Sequence, residues 1–246
     1  MFPEGYWTVE ALKFATMFLV AFLTGLMVLH WNVRVNYTRK INHFVLFFVP
    51  IFLHELFEFQ PSLVTTGTTG ALLLASLGLY SHPFRTRIPP LATMFASLDR
   101  PEDRPYTLWW LSSQVVAGYL VIIPMVILFG RLGHGALMMI PILINAVGDG
   151  LAEPVGVRFG KHEYRVRALY GDRVYVRTLE GSACVFLTGV GVIVLFEALF
   201  TPLQFWVALL TVPIFMTLAE AFSPHTWDTP FLFLVGGLTL LGIIQL

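Results

Sequence analysis

The chain has 246 residues, 57% of them hydrophobic and only 12% charged, with formal net charge zero. A soluble domain carries about 25% charged residues, and one water-soluble core of this length cannot hide so much apolar surface. The composition excludes an ordinary soluble enzyme, a disordered chain and a disulfide scaffold, and it indicates an all-α polytopic membrane protein.

A spanning helix needs about 20 mostly apolar residues. About eight segments qualify: 8–30, 42–60, 62–80, 107–129, 134–152, 181–200, 203–222 and 229–246. The first apolar run, Phe14 to Leu29, has no basic stretch before it and reads as a retained span. The second carries Glu55 and Glu58 and is the weakest of the eight. The stretches 59–84 and 105–130 contain no Asp, Glu, Lys or Arg. Loop 81–106, rich in Pro and Arg, reads as a partly amphipathic surface element. In the fifth span, Gly148, Ala152, Gly156 and Gly160 follow a small-xxx-small spacing, which favours close helix packing over ligand binding. Pro154 argues against one continuous helix through 160, because an interior proline costs about 3 kcal/mol. Pro202 leaves almost no loop between spans six and seven, so these form a tight helical hairpin. Cys184 is the single cysteine, so no intramolecular disulfide forms. The whole chain, 1–246, reads as one transmembrane catalytic domain.

Charge distribution sets the expected orientation. Of 15 Lys and Arg residues, all but Lys13 and Arg131 fall in the loops after spans one, three and five. The positive-inside rule puts those loops in the cytoplasm and both termini on the opposite side. The third of these loops also carries a fold signal. Tyr164–Tyr170 and Arg173–Arg177 alternate around Gly171-Asp172, which predicts a small basic β-hairpin between spans five and six. Its arginines suit either a phosphate clamp or contact with anionic lipid headgroups.

The polar residues gather at the cytoplasmic ends of spans. Arg39, Lys40 and His43 lie after span one. Asn145, Asp149 and Glu153 share one face at i, i+4, i+8 at the end of span five. Lys161, His162, Arg177, Thr178, Glu180, Gly181 and Ser182 flank the hairpin, and Glu220, Ser223, His225 and Asp228 follow span seven. Four sequence-distant segments are expected to meet at one membrane surface. Ionisable residues in membrane helices are costly and often functional. Asp149 and Glu153 suit one Mg²⁺, which commonly takes one or two carboxylates plus substrate phosphates. HExxH, paired CxxC, the Walker P-loop and GxSxG are all missing from the sequence.

Three blocks carry a resemblance. Asp149-Gly150-Leu151-Ala152 through Phe159-Gly160-Lys161 to Thr178-Leu179-Glu180-Gly181-Ser182 resembles the CTP-dependent lipid-alcohol kinases. These include dolichol kinase, phytol kinase and CTP-dependent diacylglycerol kinase, and they are related to phosphatidate cytidylyltransferases. Arg39-Lys40-Ile41-Asn42-His43 resembles the family's Arg-Lys-x-x-His element, and Glu220 through Ser223-Pro224 to Asp228 its C-terminal acidic and serine element. The sequence departs from the pattern in three places. Arg177 stands where Lys is common, Thr226, Asp228 and Thr229 replace a Gly-x-Asp-Asn run, and the hairpin is longer.

The resemblance implies transfer of the γ-phosphoryl group of CTP, or another nucleoside triphosphate, to the hydroxyl of a membrane lipid. Mg²⁺ would be the cofactor. The partners would be the nucleotide and a lipid alcohol (polyprenol, phytol or diacylglycerol), not nucleic acid. It implies Asp149 and Glu153 for the metal. Lys161, Arg177, Thr178, Gly181, Ser182, Arg39 and Lys40 would hold the triphosphate. Glu180 would orient a cation or bind metal, and Asp228, Glu220 or His43 would help deprotonate the acceptor. The alternative is CDP-lipid synthesis, with attack at the α-phosphate. That family's longer C-terminal signature is missing here, because Asp228 runs almost directly into the last span. A transporter would be expected to carry internal repeats and midplane polar residues, and neither is evident.

Overall fold

The computed structural model describes residues 2–58, 62–169 and 172–246. The chain packs as two compact units, 1–116 and 117–246. Each is taken by itself.

The first unit holds α1 (Tyr6–Trp31), α2 (Val35–Leu56), α3 (Leu63–Gly78), α4 (His82–Arg87), α5 (Pro89–Ala96) and the start of α6 (Thr107–Arg131). A Ser62–Thr65 capping box starts α3, each side chain bonding the other's backbone N–H. Prolines open α4 and α5, where a missing N–H costs nothing. Loop 81–106 is therefore largely helical. Leu91 and Phe95, one turn apart on α5, are buried with Leu77 and Tyr80. α5 buries one face while α4 buries no residue, so the segment has the partly amphipathic character expected of it. Gly25 of α1 is what lets α5 come so close. A Cβ there would lie 1.9 Å from the Thr93 carbonyl oxygen. Gly25→Ala should lower the unfolding midpoint, with a cost of about 1–3 kcal/mol or more, because backbone must move. Gly67→Ala, with nothing within 4 Å, should not lower it. Equal midpoints for the two variants would contradict this packing.

The second unit runs from the rest of α6 through a helical stretch of changing pitch. A 3₁₀ turn (Gly135–Met138) leads into α7 (Met139–Leu143), a π-helical turn (Ile144–Asp149) and α8 (Gly150–Phe159). The helix thus continues through Pro154, against the sequence expectation. The π turn, with its i→i+5 bonding, lies directly before α8. Strands β1 (Glu163–Arg167) and β2 (Val174–Thr178) follow, then α9 (Leu179–Leu195), α10 (Pro202–Phe222) and α11 (Asp228–Ile243). The strands pair antiparallel in the register Glu163↔Thr178 to Arg167↔Val174. The basic hairpin is present, although Tyr170 and Gly171 of its expected turn lie outside the described residues. A Thr201–Gln204 capping box and Pro202 start α10, so spans six and seven form the tight pair expected. The core gathers Ile144, Val185, Ile193, Val212, Met216 and Leu232.

The small residues of α8 do pack. A Cβ at Gly148 would meet the Val185 Cα at 2.9 Å, and one at Gly156 the Thr178 hydroxyl at 2.8 Å. Gly181 returns the contact, with the Ala152 carbonyl 2.6 Å from where its Cβ would be.

Among the described residues, four helices are long and apolar enough to cross a membrane: Tyr6–Trp31, Thr107–Arg131, Gly135–Phe159 and Pro202–Phe222. Three further apolar helices, α3, α9 and α11, are shorter. At 1.5 Å per residue, the 17 residues of α9 reach about 26 Å, short of a core about 30 Å thick. The span expected over 181–200 is cut at Leu195, before a 3₁₀ turn at Glu197–Leu199. Of the segment 42–60, residues 42–56 belong to a helix that starts at Val35 and carries Arg39, Lys40 and Glu55, and residues 59 and 60 lie outside the described residues. The expectation of eight spans is met only in these coarser terms.

Candidate active site

The second unit brings three of the four polar segments together around one guanidinium. Arg177 sits on the inward face of β2, opposite Tyr164 of β1. Its Nη1 donates to the Glu220 carbonyl, to Glu220 Oε1 at 3.1 Å and to Ser223 Oγ at 3.3 Å. Its Nη2 donates to Asp228 Oδ1 and to Ser223 Oγ at 3.4 Å. Ser223 Oγ has one proton to give, and the Glu220 carbonyl at 2.9 Å and Asp228 Oδ1 at 2.5 Å are its two acceptors. The fork thus ties the end of α10 to the start of α11, the bidentate geometry for which Arg is suited.

A second chain of bonds leads from the hairpin into the same network. Ser182 Oγ donates to Glu220 Oε2 at 2.9 Å, so the Tyr164 hydroxyl, 2.7 Å away, supplies the proton to Ser182. Both oxygens of the buried Glu220 are therefore engaged. Asp149, at the end of the π turn, is also buried, and its charge is felt at Glu220. Asp149 and Asp228 thus both act on the Glu220 carboxylate, and Arg177 opposes them there. Burial opposes the charge on Arg177, yet Asp228 and Glu220 raise the guanidinium above its ordinary range. Burial, and then the negative charge of Glu220, pushes the Tyr164 phenol up.

The hairpin closes over the loop after α10. The His225 backbone N–H donates to the Arg167 carbonyl at 3.1 Å. The His225 ring stacks on Tyr175 with centroids 3.4 Å apart. Thr226, next along, is buried in the left-handed region at φ 68°. That conformation is rare for a β-branched residue and is held by surrounding contacts at functional sites.

The remaining expected residues are placed as follows. Thr178 is the N-cap of α9, its hydroxyl accepting the Gly181 N–H at 3.1 Å, so that N–H is already used. Arg177 likewise points at protein carboxylates, a different set of partners from the triphosphate assigned to it. Lys161 is exposed, and Glu153 is half-buried one turn beyond Asp149. His162 Nδ1 lies 2.7 Å from Glu180 Oε1, and its backbone N–H donates to Glu180 Oε2 at 3.3 Å. These bonds pull the Glu180 carboxyl, at the head of α9, down to about 2. A depressed folded value means that this contribution is full above the ordinary carboxylate pKa and is lost as pH falls toward 2. Glu180 should stay ionised at pH 3 by carboxyl-carbon NMR, and His162→Ala should raise it part of the way, since the backbone bonds remain. A Glu180 titrating normally in the wild type would contradict the pairing.

The fourth segment lies in the first unit. There Arg39 Nη1 is 3.5 Å from Asp103 Oδ2, which also takes Arg100 at 2.8 Å. Lys40 is buried, and the His43 ring packs 4.9 Å from Phe47. Asn42 bonds Thr24, Thr38 and Ser97, linking α1, α2 and the end of α5.

Among the described residues, no three His, Cys, Asp or Glu side chains gather as a metal site. Mg²⁺ arriving on a triphosphate needs only one or two carboxylates, and Asp149 with Glu153 is a donor set of that size. Sequence reasoning left Tyr164 out of the site. The signal was present in the alternation that puts Tyr164, Val166, Tyr175 and Arg177 on one hairpin face. Comparison with protein-family models, with curated proteins and with solved structures finds no match.

Proposed function

We propose that the chain is an integral membrane enzyme that transfers the γ-phosphoryl group of CTP, or another nucleoside triphosphate, to a membrane lipid alcohol. The observation that carries the reading is the convergence of Asp149, Arg177–Ser182 and Glu220–Asp228 in one buried network. This network lies where a polar hairpin meets apolar helices. The nucleotide is water-soluble and the acceptor is held in hydrocarbon, so the reaction needs such a boundary. We assign that boundary to the cytoplasmic side of about eight spans, on the positive-inside distribution of Lys and Arg.

Phosphoryl transfer is mostly positioning and charge neutralisation. Mg²⁺, when bound, would supply charge neutralisation to the triphosphate, and Asp149 and Glu153 would be the carboxylates that hold it. Arg177 fixes the two carboxylates Glu220 and Asp228 and so positions the acceptor side. Lys161, exposed beside the hairpin, neutralises the triphosphate. Glu220 and Asp228 are the nearest candidates to take the acceptor proton. Lipid extract incubated with purified protein and CTP should yield a lipid phosphomonoester only when Mg²⁺ is supplied. Full turnover in excess chelator would overturn the metal role, and a CDP-lipid product would favour the cytidylyltransferase alternative.

A further inference from the structure

The hairpin register divides its arginines into two sets. Arg177 faces inward, onto Glu220 and Asp228. Arg165 and Arg167 face the other way, opposite Val176 and Val174. The outer face therefore sets two arginines beside two valines, with the pair Glu163 and Thr178 at its foot. Both arginines are exposed, and the valines are 52% and 56% exposed. Solvated hairpin faces carry polar residues at such positions, so this apolar pair needs an occupant.

The exposed apolar surface also continues downward. Leu179, the first residue of α9, is 60% exposed, and Ala183, Leu187, Gly191 and Leu195 repeat every four residues on the same exposed face. A stripe of that kind on an apolar helix is its lipid-facing side. Past the Thr178 cap, Val176 and Val174 extend the exposed apolar surface of α9 onto the hairpin. Phe159 and Phe222, the last residues of α8 and α10, are 63% and 78% exposed at the level where the hairpin begins.

We propose that the outer face of the hairpin is a binding site for the anionic phospholipid headgroups of the surrounding bilayer. The valines lie at the level of the upper acyl chains and glycerol. Arg165 and Arg167 reach from the neighbouring strand to lipid phosphates, their stems covering apolar surface while their heads stay at the polar layer. Charge complementarity selects an anionic bilayer over a neutral one, and the apolar surface extended from α9 selects a bilayer over a soluble partner. The site is distinct from the buried network on the inner face, and it does not depend on the reaction proposed there.

The test uses the full chain in bilayer nanodiscs. An environment-sensitive fluorophore is attached at Val176→Cys in a Cys184→Ser background, and the lipids carry a headgroup-level quencher. Quenching should be strong with phosphatidylglycerol present, weaker in phosphatidylcholine alone, and reduced by salt. Arg165→Gln with Arg167→Gln should lower the ratio of docked to undocked hairpin about tenfold or more. Native mass spectrometry supplies a label-free readout, in which the double variant should retain less phosphatidylglycerol. No quenching in either bilayer would overturn the proposal. So would quenching indifferent to lipid charge, salt and both arginines, or burial of the probe only after a soluble protein or RNA is added.

Discussion

Arg177→Ala should be the most damaging single substitution in the second unit. It removes the common partner of Glu220, Ser223 and Asp228 and leaves two carboxylates facing each other across the α10–α11 junction. Breaking one side of a buried ion network costs about 3–5 kcal/mol, because the surviving charge stays buried without compensation. The unfolding midpoint in detergent should fall sharply, whereas Arg165→Ala, on the exposed face, should stay within about 0.5 kcal/mol of wild type. Arg177→Lys should also be clearly destabilised. A single ammonium cannot reach Glu220 and Asp228 at once as the two Nη groups do. Arg177 stands where Lys is common in the family it resembles, and here both prongs of its fork are used. Neutralising the partners as well, in Arg177→Met with Glu220→Gln and Asp228→Asn, should recover part of the loss. Wild-type stability in Arg177→Ala would mean the network contributes little.

Asp149→Asn should abolish turnover without unfolding the protein. The side chain is buried at the end of the π turn and keeps its shape in the amide, but loses the charge felt at Glu220. Removing a group that stabilises charge in a transition state costs about 10²–10³-fold in rate, and loss of a metal carboxylate belongs at the upper end of that range. The fold should respond mildly or even gain, since one of three clustered carboxylates is neutralised. The discriminating pair of measurements is turnover and unfolding midpoint on the same preparation. Near-normal turnover in a folded Asp149→Asn would remove Asp149 from the chemistry.

What the sequence disclosed and what it hid follow from range. The hairpin was legible because alternation around a turn is local, and the α9–α10 corner because proline and a cap are local. The small residues of α8 were legible as packing, and each meets a partner on α9 or β2. Arg177 was not legible as the tie between α10 and α11, because Glu220 and Asp228 lie 43 and 51 positions away. Nothing in the spacing pairs a strand arginine with those two rather than with a phosphate. The helices inside loop 81–106 were missed because proline and arginine dominate its composition. Yet Leu91 and Phe95 at i, i+4 held the sign that it is buried. Pro154 misled for the opposite reason, since a local rule was applied without the π turn beside it.

The most direct test of the account is the fate of the label when purified protein, Mg²⁺ and membrane lipid are given CTP radiolabelled at either the γ- or the α-phosphate. Lipid-alcohol phosphorylation predicts that γ-label enters a chloroform-soluble phosphomonoester, that α-label stays with water-soluble CDP, and that Asp149→Asn yields neither lipid product. Transfer of α-label into lipid with release of pyrophosphate, or no transfer of either label to any lipid alcohol, would contradict it.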